Sequence, residues 1–191
     1  EAETLENAKQ YGPLVFRQQD RLVTLGDFQA YISRYASPTG GKAIGTAVTR
    51  SAYSSANIID LYVLQKANAT QLQKATVEYK VNLISDLQNY KMLTDDVNVV
   101  DGLIRTLDLV VTIYCDDAFT LKVAAANLIT THFSYDSFAF GTPFSPQDLN
   151  RKIFDLSQVR YSTIDNITDV IVPAFNEVVQ LNNLTVNIEF I

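Results

Sequence analysis

The chain of 191 residues has little of what most active sites need. It holds one cysteine, Cys115, and one histidine, His132. A single cysteine excludes an internal disulfide. A structural zinc site needs clustered Cys and His ligands, and one of each does not supply it. No apolar run approaches the ~18 residues that a membrane span requires. The 15 basic residues never cluster beyond pairs, and the net charge is −6. A nucleic-acid binder should carry a basic patch, so no nucleic acid and no membrane are expected as partners. No basic stretch followed by an apolar one marks a signal peptide. The chain begins Glu1-Ala2-Glu3 without an initiator Met, and is expected to be processed or to be part of something longer. There is no strict sequence repeat.

What is present is a packing composition. Hydrophobic residues make up 47% of the chain and charged residues 19%, which is globular and sufficient for a core. Organisation is clearest over Arg21–Val48. Thr24 with Asp27 three residues on predicts a capping-box start, with an acid where the helix dipole favours it. Phe28, Tyr31, Ile32 and Tyr35 then recur on one helical face. Ser37-Pro38-Thr39-Gly40-Gly41 ends that helix and turns the chain into a strand over Lys42–Arg50.

A turn over Ser51–Asn57 leads to a second strand, Asn57–Leu64, with Ile59, Leu61 and Val63 on its buried face, and the two strands form a hairpin. The longest helix is expected from Asn68 or Thr70 to about Met92, through Leu72, Thr76, Tyr79, Leu83, Leu87 and Tyr90. Asp96–Val100 closes this layer as a strand. Helix, two strands, helix and strand form the inner part of a ferredoxin-like arrangement. Asp101-Gly102 predicts a turn between modules.

The second module opens on the cleanest alternation in the chain. Leu107, Leu109, Val111, Ile113 and Cys115 face one way; Thr106, Asp108, Thr112 and Tyr114 face the other, broken by Val110. This predicts a long antiparallel strand over Ile104–Cys115 with one wet face. Asp116 and Asp117 stand at an N-cap position, and Phe119, Val123, Ala126, Ile129 and Phe133 mark a third helix. Ser145-Pro146-Gln147-Asp148 starts a fourth, carrying Leu149, Ile153 and Leu156. Val159–Thr163 reads as a strand and Pro173 interrupts the next apolar run. Val178–Leu181 and Leu184–Phe190 are expected to close a hairpin around Asn182-Asn183. The fold class is therefore α+β: two small modules of antiparallel sheet packed with helices, residues 1–102 (with the N-terminal lead-in) and 103–191, the first ferredoxin-like.

No motif carries a reaction. A Cys115–His132 nucleophile pair is conceivable, but the apolar neighbours of Cys115 favour a buried small residue. Asp95-Asp96 and Asp116-Asp117 are adjacent carboxylates, which on a strand edge point to opposite faces and do not preform a metal site. Gly40-Gly41-Lys42 lacks the upstream Gly and the following Ser or Thr of a phosphate loop, and it precedes a strand; it is a turn. Asn68, Asn166 and Asn183 each head an Asn-X-Thr triplet, expected by chance in an Asn- and Thr-rich chain. The feature that stands out is aromatic. Tyr135, Phe138, Phe140 and Phe144 crowd one connecting segment with Gly141 and Pro143. Such a segment is either tucked under a helix or presented to a partner, and these four rings are the candidate interface.

Arg21, Val23-Thr24 and Asp27-Phe28, followed by helix and strand after the polar run Phe16–Arg21, resemble the baseplate J-like family of contractile phage tails, which includes baseplate wedge proteins. The order of later blocks extends the resemblance over roughly residues 10–190: Met92–Asp101 as the link between modules, then Leu121–Phe133, Phe140-Gly141-Thr142-Pro143, Ser145–Leu156 and Val159–Thr163. The chain departs from it at Leu156-Ser157-Gln158-Val159, where the family often has a Gly before a Val-X-Val pair. The resemblance implies the C-terminal part of a wedge component, a scaffold without turnover or cofactor. Its partners would be itself, as a dimer, and other wedge proteins, closing a ring around the tail hub. Its location would be the virion baseplate, after assembly in the host cytoplasm. The alternative from residues alone is a small-molecule-binding or enzymatic ferredoxin-like domain. That needs convergent polar groups in an apolar pocket, and the sequence offers no such cluster.

Overall fold

In a computed structural model, described over residues 9, 21–38, 40–50, 55–115 and 121–190 (backbone only at 50, 55 and 56), the chain divides into two compact units. The first takes the chain up to Ala67 together with Leu72–Leu103; the second takes Asn68–Gln71 and Ile104–Ile191. Both are mixed helix and sheet, so the α+β class is what the chain adopts.

The first unit begins with α1, Leu25–Arg34. The Thr24 hydroxyl accepts from the Asp27 amide at 3.3 Å, and Asp27 Oδ2 accepts from the Thr24 and Val23 amides at 2.7 and 3.0 Å. That is the reciprocal box the sequence predicts. It accounts for the burial of Asp27, because two backbone donors offset the desolvation of its carboxylate. Phe28 and Ile32 are fully buried against β1, Ala43–Arg50. Gly40 and Gly41 hold φ of 91° and 98°, the left-handed backbone that makes the intervening turn.

β1 pairs antiparallel with β2, Ser55–Lys66, in the predicted hairpin, although β2 starts within the stretch expected as a turn. β4, Asp96–Asp101, lies directly beside β2 in parallel register, with Ile59 opposite Val97 and Leu61 opposite Val99. The predicted helix, two strands, helix and strand are all present, with a further short strand inserted before the second helix, and the β2–β4 pairing is parallel where an antiparallel sheet was expected. Ile59, Leu61 and Val63 form the buried face. Asp60 is buried on the other and accepts from Asn98 at 3.4 Å.

The helix expected from Asn68 or Thr70 to Met92 is shorter and starts later. Leu72–Lys74 is a strand, β3, antiparallel to β2, and α2 covers only Val77–Leu87. Asn68 accepts from the Thr70 amide at 2.9 Å in a local turn, and Thr76 caps α2 by accepting from the Tyr79 amide at 3.2 Å. A three-residue strand with one inward Leu fits a helical period by accident, so spacing alone does not separate it from the helix that follows. The true buried face is Tyr79, Leu83 and Leu87, and each of the two leucines is worth roughly 1.5–3 kcal/mol of burial. Gly102 is a one-residue break between β4 and the next strand instead of a turn.

β5, Leu103–Cys115, belongs to the second unit from Ile104 on, and is the central strand of a three-stranded sheet in the order β6–β5–β7. All five predicted inward residues, Leu107 to Cys115, are buried. The opposite face is not uniformly wet: Thr112 is buried as well. Helix α3, Leu121–His132, buries Leu121, Ala125 and Ile129, whereas Val123 is 61% exposed. The predicted stripe was therefore out of phase through Val123. Asp116, Asp117 and Phe119 lie outside the described residues. Helix α4, Pro146–Phe154, starts as predicted, the Ser145 hydroxyl accepting from the Asp148 amide at 3.3 Å. Asn150 on α4 exchanges hydrogen bonds with Ser162 on β6, Val159–Ile164.

The expected closing hairpin does not form. Glu177–Phe190 is one continuous strand, β7. Asn182 and Asn183 run through in strand conformation because both side-chain amides donate to Asp108 Oδ1, at 2.9 Å each. An external acceptor competes with the local turn that Asn-Asn otherwise favours.

Candidate functional site

The aromatic segment has been placed on both sides of the choice left open by the sequence. Tyr135, in a short 3-10 turn over Tyr135–Ser137, and Phe144 are buried. Phe144 packs on Phe133 at 5.4 Å between ring centroids and belongs to the core formed by β5, α3 and α4. Both rings are covered within the single chain. Phe138 is half-buried against the same core, and Phe140 is half-buried. Gly141 holds φ 70°, and its amide donates to the Glu177 carbonyl at 3.0 Å. Phe144 and Ile171 exchange backbone hydrogen bonds at 2.9 Å. The segment is thus stitched to the approach to β7.

Where the segment meets the C-terminal ends of α3 and α4, it leaves a cleft of about 230 Å³. Phe144, Val178 and Phe138 give it an apolar floor, and Thr142 adds a hydroxyl at its rim. One wall carries Lys152 and His132, with Lys152 Nζ 3.2 Å from His132 Nδ1. The imidazole lies edge-on to Phe133 at 5.2 Å. Burial, and then the charge of Lys152, lowers the His132 pKa from its usual value, with Asp148 acting in the opposite direction. Neutral His132 can accept at Nδ1 from the lysine.

The other sequence candidates are not brought together. Cys115 is fully buried in the β5 core. Asp95 accepts from Thr94 at 3.4 Å. Among the described residues no group of three or more His, Cys, Asp or Glu is placed to hold a metal ion. Two of the Asn-X-Thr asparagines are committed to the second sheet: Asn166 bonds the β5 backbone at Val110 and Asp108, and Asn183 bonds Asp108. The Lys152–His132 wall was not legible from sequence. The two residues stand 20 apart on different helices, and only the α3–α4 packing joins them.

No protein-family model matches the sequence, and no curated protein sequence matches it either. The fold, however, is similar to that of a chain in the cryo-EM structure of the anti-feeding prophage baseplate, six-fold symmetrised. The likeness covers 95% of this chain, with a TM-score of 0.56 and 13% sequence identity. This chain spans about 42% of the length of that one.

Proposed function

We propose that the chain is a structural piece of a contractile-tail baseplate. The observation that carries this is the likeness of fold to a baseplate chain over 95% of the residues. A match that spans both units is more demanding than one to a single small α+β layer, because it includes the order of the blocks. The resemblance of Arg21–Phe28 and of the Phe140–Leu156 blocks to the J-like family points the same way and suggests the wedge. On this reading the chain is not an enzyme. It associates with itself and with other wedge proteins into a ring around the tail hub, within a virion or virion-like tail put together in the host cytoplasm. Shape and surface would then carry the function, on two units of capped helix and sheet that each have their own buried core.

The reading is tested by mass in solution. Light scattering across a concentration series should give a mass above the 21.3 kDa of one chain. A strictly monomeric chain at the highest soluble concentration contradicts the self-association part of the proposal.

A further inference from the structure

We propose that the cleft between the ends of α3 and α4 and the Tyr135–Phe144 segment is a docking socket for a protein segment that carries a carboxylate beside an aromatic or aliphatic side chain. The proposal names the chemistry of a contact for the assembly reading above, and rests on that reading for the kind of occupant.

Three observations converge. The first is size and floor. A cleft of about 230 Å³, floored by Phe144, Val178 and Phe138, has room for one large apolar side chain and little more. It is small for a metabolite pocket, which usually spans about 300–1,000 Å³. The second is charge. In a chain of net charge −6, no Asp or Glu among the described residues lines this cleft, while Lys152 and His132 both do. Lys152 bonds His132 and, among the described residues, is paired with no carboxylate. Asp148, one turn before Lys152 on α4, acts on His132 through its charge, and it does not line the cleft. An ammonium group next to an apolar floor matches a ligand with an anion at one end and a hydrophobic group at the other. The third is rigidity. Ser145 caps α4, Gly141 is tied to Glu177, and Phe144 is paired with Ile171, so the walls are held before anything docks. A preformed socket costs less ordering entropy on binding than a loop that must fold around its partner.

The experiment uses the full chain, labelled with nitrogen-15, and two blocked dipeptides. N-acetyl-Asp-Phe-amide presents a side-chain carboxylate beside a ring, as an internal protein segment would. N-acetyl-Asn-Phe-amide is its neutral counterpart. The acidic peptide should give saturable amide shifts around Thr142, Lys152 and Val178, and bind about fivefold more tightly than the neutral one, the upper range for a solvent-accessible ion pair. Lys152→Gln, whose fold is checked by circular dichroism, should bind the two peptides equally. The proposal is overturned by the absence of saturable shifts at the cleft, by equal binding of both peptides to the unaltered chain, or by an unchanged preference in Lys152→Gln. Binding of free N-acetylphenylalanine without binding of the Asp peptide also overturns it, because the occupant is then a small carboxylate. The two proposals fail separately: a self-associating chain with an inert cleft sinks only this one, and a monomer that binds the acidic peptide sinks only the self-association.

Discussion

Thr112 donates its hydroxyl to Oδ2 of Asp165 at 2.6 Å, while Thr163 donates to the other carboxylate oxygen at 2.7 Å. This joins β5 to the end of β6 on the face away from the β5 core. Thr112→Val removes one hydrogen bond and should cost about 1 kcal/mol. Thr112→Asp instead sets a second carboxylate against Asp165 at a buried position, and should cost clearly more than the Val change. Urea denaturation of both variants checks this. Equal midpoints would mean that Asp165 swings away into water.

Gly45 on β1 leaves space that Ile32 of α1 occupies. A Cβ at position 45 would collide with Ile32 Cδ1, and would stand 3.2 Å from Ile32 Cβ. Gly45→Ala should therefore destabilise by about 1–3 kcal/mol, as overpacking does. Ile32→Val removes the clashing methyl. Combined, the two changes should cost less than their separate sum by at least about 0.5 kcal/mol. Strict additivity would show that α1 shifts as a body to relieve the clash.

Gln158 is exposed and has φ 77°, the one left-handed non-glycine among the described residues. Gln158→Gly should relieve the strain, and after the entropy lost by glycine should stabilise by about 0.5–1 kcal/mol. Thermal unfolding of the variant reads this directly, and a lowered midpoint would mean that the side chain makes a contact worth more than the strain.

His132 sets a pH dependence. Its folded pKa lies below the ordinary 6.5, so in the window beneath 6.5 the unfolded chain binds more protons. The stability it contributes is present in full above that value and is lost as pH falls through the folded pKa. Unfolding at pH 7.5 and 5.5 should show the unaltered chain losing more on acidification than His132→Gln. An equal or smaller loss would mean that Asp148 outweighs burial and Lys152.

Much of the fold was legible where local chemistry and tertiary packing agree. The Thr24 and Ser145 caps, the hairpin of β1 with β2, and the inward face of Leu107–Cys115 all follow from short-range pattern. Legibility failed where a distant partner decides. Leu72 joins a strand because β2 offers an edge, and Asn182-Asn183 stays extended because Asp108 supplies the acceptor. Thr112 is buried because Asp165 reaches over it. The site was less legible than the fold. Aromatic crowding singled out one segment, but which of its rings point inward depends on how α3 meets α4. The cation on the cleft wall comes from residues with no sequence signature.

The central claim is a place in a baseplate. The most direct measurement is a cryo-EM map of contractile-tail particles from cells that encode this chain. The account predicts copies of this two-unit fold arranged in a ring in the baseplate, with the second unit, which carries the Phe138–Phe140 surface and the Lys152 cleft, against a neighbouring protein. A map that resolves the whole baseplate and has no density for this fold would contradict it.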